Sequence, residues 1–383
     1  MVGGSGILSS AVVDECIRLG YEVTIMNRGR NKAFINPKAK LIKCDVYNEQ
    51  IVRETLQGLH YDVFIDFLVK TMPQLKYSLN MFSNIAHQYV FISSAQAYNT
   101  TIKGVLKEDS ELTMPLWSYS VNKAKCEKYL QEYAKEKNIK YTIIRPGVNY
   151  DNRRIPYGIF PLIGMHWTIA ARILAGKPII TWNGGQNKHN LTRVEDFASG
   201  MVGLLGETKA YNEAFNVVGD NVYTWKEALD TLGDILGVKV NTVDITVDFY
   251  ANELTGDDKE ALLGGRSQDL WCSNEKMKKL VPNFKTQYNL KEGMQLTVDF
   301  YKKNKYYDGI DYRWDGDTDR IINKYYHSVG KKKDKSLCFV QYINSPNSVV
   351  LEGKKTYHKS YTKDVLFWRG VRKIQRILES ILN

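Results

Sequence analysis

No apolar run in this sequence approaches the ~20 residues that a membrane-crossing helix needs, and no charged-then-apolar leader opens it. The expectation is a cytoplasmic protein. Cysteine is sparse: Cys16, Cys44, Cys126, Cys272 and Cys338 are widely separated, form no CxxC pair and have no histidine at ligand spacing. That pattern argues against a disulfide scaffold and against a structural zinc site, so no metal is expected. No repeat of 20–50 residues is visible, which argues against solenoids and propellers.

What is present is an ordinary globular composition with a basic bias. The 383 residues are 43% hydrophobic and 25% charged, enough for two domains or for one with additions. The formal net charge is +11, with much of it late, in "KKNKYY" and "GKKKDK". Such a balance is compatible with nucleic acid, an anionic membrane or phosphate-bearing substrates.

Short apolar runs alternate with helical spacing through the first 150 residues. "YEVTIMN", "AKLIKCD", "YDVFIDFL", "QYVFISS" and "KYTIIRPG" read as strands, and "SSAVVDECIRLG", "MPQLKYSLNMFSNIA" and "SYSVNKAKCEKYLQEYAKEK" as helices. The alternation predicts a parallel sheet covered on both faces. Ahead of it stands "MVGGSGILSS", with Gly3, Gly6 and Ser9 at dinucleotide-loop spacing. Glycine permits a tight turn and close approach to a pyrophosphate, which a helix start stabilises. On this reading Met1 and Val2 are the shortened end of the first strand; the alternative is an ordinary glycine turn. "YSVNK" then places Tyr119 and Lys123 one helical turn apart, so that an ammonium can bias a phenol toward acid/base work. A surface Tyr/Lys pair is the plain alternative in a chain with 25 tyrosines.

Taken together, "GGSGILS", "CDV", "FISSAQAY", "YSVNK", "IIRPG" and "NLTRVEDFASG" resemble the extended short-chain dehydrogenase/reductases, the NAD-dependent epimerase/dehydratase group that modifies nucleotide sugars. The resemblance runs over residues 1 to about 300. It implies an α/β fold: a Rossmann-like doubly wound parallel sheet over 1–150, and a smaller mixed α/β substrate region over 151–303 with some segments returning to the first domain. A basic Tyr/Lys-rich extension over 304–383 follows, ending in an amphipathic helix. By resemblance, Ser94, Tyr119 and Lys123 form the catalytic set. Gly3, Ser5, Gly6, Ile7, Asn27, Arg28, Asp45, Val46, Leu68, Pro146 and Val148, with Tyr119 and Lys123, hold NAD or NADP. Asp45 would meet the adenine; a turn or helix-cap role is its alternative.

The resemblance further implies a nucleotide-sugar epimerase or reductase. Sugar 4,6-dehydratases carry an Asp-Glu pair where this chain has Ala95-Gln96, and neither residue titrates, which disfavours dehydration. "MNRGR" puts neutral Asn27 where an acid would select NAD, and Arg28 or Arg30 there tilts toward the 2′-phosphate of NADP, solvated loop charges being the alternative. Gln96, Asn149, His189 and Arg266 are the expected substrate contacts. His189 replaces an expected diphosphate-binding arginine and also reads as a loop histidine. The last helix, "DVLFWRGVRKIQRILESILN", reads either as packing against the body or a second subunit, or as lying on an anionic membrane. A homodimer is expected. The rival readings are an RNA-binding member of the same fold family and a catalytically silent subunit; intact Ser94, Tyr119 and Lys123 weigh against nucleic acid.

Overall fold

The computed structural model describes residues 1–113 and 116–364, which divide into two compact units. The first comprises Met1–Asp151, Asn187–Trp225 and Thr255–Gly293; the second comprises Asn152–Gln186, Lys226–Leu254 and Met294 onward.

The first unit is built on a parallel sheet. Strand Lys40–Lys43 pairs with Thr24–Asn27, and Tyr61–Asp66, Ala86–Ile92, Lys140–Pro146 and Glu213–Val217 pair successively, all in parallel. Val2 joins the two groups, bridging in parallel to both Met26 and Asp66. Its N–H donates to the carbonyl of Ile65 and its carbonyl accepts from Phe67, at 2.9 and 3.3 Å. The short apolar run before the glycines therefore occupies the middle of the sheet.

Consecutive strand residues point to opposite faces. Ile25, Ile65, Val90 and Ile144 face helices Ile7–Arg18 and Val194–Val202, meeting Val12, Val13, Phe197 and Met201. Their neighbours Met26, Phe64, Phe91 and Ile143 face helices Glu49–Leu56, Met72–Phe82 and Ser118–Lys137, meeting Val52, Leu79, Cys126 and Leu130. Both faces are thus apolar, which is why these strands read as unbroken hydrophobic runs. The architecture is doubly wound and Rossmann-like.

The second unit contains helix Trp167–Leu174, the parallel strands Ile179–Thr181 and Thr242–Asp244, and helices Val247–Glu253, Tyr312–Ser328 and Asn347–Tyr361. The extension supplies part of its core. Asp315 and Asp319, one turn apart on Tyr312–Ser328, are fully buried against Arg172 and Lys177. Arg172 pairs with both carboxylates, and Lys177 reaches Asp319 at 2.5 Å. The hydroxyls of Tyr357 and Tyr342 donate to Asp319 and Asp315 at 2.6 and 2.9 Å. Among the described residues no helix is long and apolar enough to cross a membrane. The amphipathic helix expected at the end of the chain falls largely on 365–383, outside the described residues.

Breaking a fully buried ion cluster leaves uncompensated charge, at a cost of about 3–5 kcal/mol. Asp315→Asn should therefore lower the urea midpoint of unfolding by an amount equivalent to about 3 kcal/mol. An unchanged midpoint would show that the cluster is energetically idle.

Candidate active site

The glycine turn follows directly from Val2. Gly3 and Gly4 have φ of +107° and +90°, conformations that L-residues with a side chain avoid. A Cβ on Gly4 would stand 2.7 Å from Cγ2 of Ile25. Asn27 fastens the turn to the next strand: its Nδ2 donates to the Gly3 carbonyl at 2.6 Å and its Oδ1 accepts from Gly29 N at 2.7 Å. Helix Ile7–Arg18 begins at Gly6, whose N–H donates to Ser9 Oγ at 2.9 Å. A glycine backbone with no side chains in the way, followed by a helix start whose first N–H groups lack intrahelical acceptors, fits a pyrophosphate.

Helix Ser118–Lys137 is anchored at its start by Glu260, whose Oε2 accepts from Ser118 N and Oγ at 2.8 and 2.5 Å. A carboxylate there complements the helix dipole. Tyr119 is half-buried, with its ring 5.2 Å from that of Trp117. Lys123 is only 4% exposed. Its Nζ donates to the carbonyls of Val69 and Ile92, each at 2.6 Å, and lies 5.7 Å from the Tyr119 ring centre. Burial lowers its pKa to about 8. The lysine thus joins the turn after Tyr61–Asp66 to the strand end just before Ser94. Ser94 Oγ accepts from Gln96 N at 3.1 Å, an arrangement that leaves its own O–H for another acceptor.

One turn beyond Lys123, Glu127 is completely buried. It accepts from Arg145 Nη2 and Nε at 2.5 and 3.0 Å, and from Ser93 Oγ at 2.5 Å. Arg145 Nη1 donates to Tyr98 OH at 2.6 Å and to the Glu108 carbonyl at 2.9 Å. The arginine of "IIRPG" therefore ties the helix bearing Tyr119 and Lys123 to the strand ends on either side. Sequence reasoning quoted that arginine without a role and passed over Glu127 and Gly4. The available signal was an acid four residues past the lysine.

The structure brings several expected residues together. Leu68 and Phe67 lie beside Gly3, so Leu68, Asn27 and the glycines share one corner. Ser5 and Ile7 belong to the same turn and helix start. Pro146 ends strand Lys140–Pro146, and Val148 is buried just beyond it. Arg28 is exposed beside Asn27. Asp45 is exposed and makes a local turn, accepting from Tyr47 N at 3.1 Å, while the buried Val46 accepts from Tyr77 OH through its carbonyl.

On the other side, Gln96, Trp117, Tyr119 and Arg266 cluster. Gln96 Oε1 is buried, accepts no hydrogen bond within the described residues and abuts Gly265. The Arg266 guanidinium lies 5.7 Å from the Trp117 ring centre, with its pKa lowered by burial to about 10 and Tyr119 among its electrostatic neighbours. His189 is not on the surface as a loop histidine would be. It sits in the two-residue strand Lys188–His189, fully buried and 4.2 Å from the ring of Trp225, and burial keeps it neutral with a pKa well below the usual value. Asn149 is buried on strand Val148–Tyr150, its Nδ2 donating to the Gly147 carbonyl at 3.0 Å. Among the described residues no group of His, Cys, Asp and Glu has the makings of a metal site.

The sequence profile of the NAD dependent epimerase/dehydratase family matches residues 1–218. A chloroplast stem-loop binding protein of 41 kDa from Arabidopsis thaliana is 24% identical over 307 residues, covering 77% of this chain and 76% of its own. A 2′-dehydrokanamycin reductase from Streptomyces kanamyceticus is 19% identical over 254 residues, covering 66% and 71%. Among solved structures, a UDP-glucose 4-epimerase with UDP-glucose from Thermotoga maritima superposes with a TM-score of 0.62 at 20% identity, covering 79% of this chain and 98% of that one. The structural likeness concerns the fold.

Gly4 and Gly20 separate strain from packing. Both have positive φ, but a Cβ on Gly20 meets nothing within 4 Å. Gly20→Ala should cost roughly 1 kcal/mol and Gly4→Ala at least twice that, read from urea midpoints. Equal losses would mean that the contact with Ile25 is relieved freely.

Proposed function

Because the chain belongs to the NAD-dependent epimerase/dehydratase family, we propose that it is an NAD(P)-dependent nucleotide-sugar epimerase or reductase in which Tyr119 exchanges the proton of a sugar hydroxyl. The observation that carries this reading is the pairing of Tyr119 with the buried Lys123 ammonium, held by two carbonyls next to the strand end that bears Ser94.

The cofactor, when bound, supplies a hydride acceptor or donor at the reacting carbon. The chain's own residues do the rest. The glycine turn and the start of Ile7–Arg18 hold the pyrophosphate, and Leu68, Pro146 and Val148 flank the dinucleotide. Arg28, exposed beside an Asn27 whose amide is already engaged, favours a 2′-phosphate and hence NADP. Ser94 donates its free O–H to the substrate oxygen. Tyr119 takes or returns the hydroxyl proton, and the nearby ammonium stabilises the phenolate that forms. Gln96, where a dehydratase would carry an acid, offers an amide that cannot protonate a leaving hydroxyl, so epimerisation or simple redox chemistry is preferred. Arg266 and Asn149 complete the substrate side, and a homodimer is the expected assembly.

A second reading has one observation in its favour, the likeness to a stem-loop binding protein. RNA binding that weakens steeply with salt, in a protein indifferent to substitution at Tyr119, would establish it instead.

Mass spectrometry of small molecules released from the purified protein should find NAD(H) or NADP(H), with or without a nucleotide sugar; their absence after reconstitution attempts would overturn the reading. With the sugar so identified, Tyr119→Phe should lower turnover roughly 10²–10⁴-fold and leave the melting temperature nearly unchanged. Retention of full activity would remove Tyr119 from the mechanism. The Lys123 ammonium has a free-state pKa of about 8. An anionic cofactor favours the charged form and raises that pKa, so binding takes up a proton between the two values. Affinity should accordingly be flat below pH 7 and fall as pH rises through 8, by calorimetry in buffers of different ionisation enthalpy; Lys123→Met should abolish this dependence.

A further inference from the structure

The segment 67–70 leads out of strand Tyr61–Asp66, and each of its N–H groups has an acceptor. Phe67 N donates to the Val2 carbonyl at 3.3 Å and Leu68 N to Asp66 Oδ1 at 2.8 Å. The Val69 N–H is a further backbone donor to the Asp66 carboxylate. Lys70 N and Thr71 N donate to Gln74 Oε1 at 2.8 and 3.1 Å. Asp66 therefore clasps one end of the segment and Gln74 the other, and between them the Val69 carbonyl accepts from Lys123 Nζ. Asp66 is only 4% exposed. Its Oδ2 accepts from Ser78 Oγ at 2.5 Å. That bond uses the serine proton, so in the 2.6 Å contact between Ser78 Oγ and Tyr89 OH the tyrosine is the donor.

A buried ammonium is tolerated when a counter-charge accompanies its hydrogen bonds. The groups that face Lys123 are Cys126, Asp66, Lys70 and Glu127, with the Tyr119 ring nearby. Burial pushes the Cys126 thiol up to about 11, so it stays neutral. Glu127 is paired with Arg145, and Lys70 has the same sign as Lys123. Asp66 is the anion that remains among them. Burial pushes its own pKa up, and the bonds from Ser78, Leu68 and Val69 together with the Lys123 charge oppose that rise. The other titratable groups around Asp66 are neutral near pH 7.5: burial lowers the Met1 amine to about 6 and raises the phenols of Tyr47 and Tyr89.

We propose that Asp66 is a positioning residue for Lys123: its carboxylate fixes the segment that presents the Val69 carbonyl, and its negative charge is the counterion of the buried ammonium. Both of its oxygens are engaged by the protein, so it acts on the reaction only through Lys123 and, beyond it, Tyr119. A neutral amide at this position would still accept from Leu68 but would leave the ammonium without its counterion. The inference rests on the part that Lys123 plays in the proposed function.

The test places carbon-13 at Cε of the lysines and follows their NMR titration in the unliganded full chain, with the Lys123 signal assigned by its loss in Lys123→Met. Lys123 is expected to titrate near its pKa of about 8. Asp66→Asn should move this titration downward by about one pH unit, so that the charged fraction at pH 8 falls from about a half to about a tenth. A lowered melting temperature with the titration unmoved would make Asp66 merely structural and overturn the proposal. Amide exchange separates the clasp from the charge: Leu68 N–H should exchange about 10-fold faster in Asp66→Ala than in Asp66→Asn, which keeps an acceptor. Equal rates would overturn the clasp. Should neither variant fold, the same coupling is read from the other partner, because it is reciprocal. With carbon-13 at Cγ of the aspartates, Asp66 should titrate higher in Lys123→Met than in the parent protein, and an unmoved Asp66 would overturn the proposal. None of these measurements needs a cofactor or a sugar. An unmoved Lys123 therefore leaves the hydride-transfer reading standing, whereas a protein that takes up no nicotinamide loses that reading with the titration unchanged.

Discussion

The buried pair of Glu127 and Arg145 is the constraint on which the rest of the first unit depends. A carboxylate and a guanidinium removed from water are tolerable only when their hydrogen bonds are made. Here they are made by Ser93 and Tyr98, from the stretch after strand Ala86–Ile92, and by the Glu108 carbonyl of the following loop. Each of these segments is thereby fixed relative to helix Ser118–Lys137. Because Glu127 lies one turn from Lys123 and two from Tyr119, the pair sets the height and rotation of both over the sheet. Its partner Ser93 immediately precedes Ser94, so the same interaction places the serine hydroxyl. Chemistry that needs atoms placed within a fraction of an ångström gains from a joint that cannot slide without stranding a charge.

Much of this fold was legible in the sequence because its physics is local. Strands such as Ala86–Ile92 bury both faces, so they read as continuous apolar runs, and glycines at 3 and 6 mark a turn that side chains would obstruct. The Tyr119–Lys123 spacing announces a shared helix face. What stayed hidden depends on partners distant in sequence. Gly4 matters because Ile25 stands against it, and nothing in "GGSG" names Ile25. Arg145 finds Glu127 only once the sheet and helix are assembled. His189 read as a loop residue because its polar neighbours in "NKHN" disguise a short strand that stacks on Trp225. The extension read as an appendage because Asp315 and Asp319 look like solvated charges until Arg172 and Lys177 close over them.

The relatives show how little the fold by itself decides. A stem-loop binding protein and a reductase share recognisable sequence with this chain, and an epimerase shares its shape. Function on such a scaffold resides in a few side chains at the strand ends. In the proposed function those side chains are Tyr119, Lys123 and Ser94, with the neutral amide of Gln96 standing where a dehydratase would carry an acid.

The socket around Lys123 has a consequence for recognition. An ammonium has three hydrogens, and two of them are committed to the carbonyls of Val69 and Ile92. Only one is left for a further acceptor, and its direction is set by the protein rather than by the ligand. A group that can swivel accommodates many acceptors; one pinned in this manner behaves like a compass needle with its bearing locked. Under the proposed function, a cofactor settling above it would have to bring its oxygen to that single heading or forgo the bond, so the geometry of the lysine would filter guests before any reaction began.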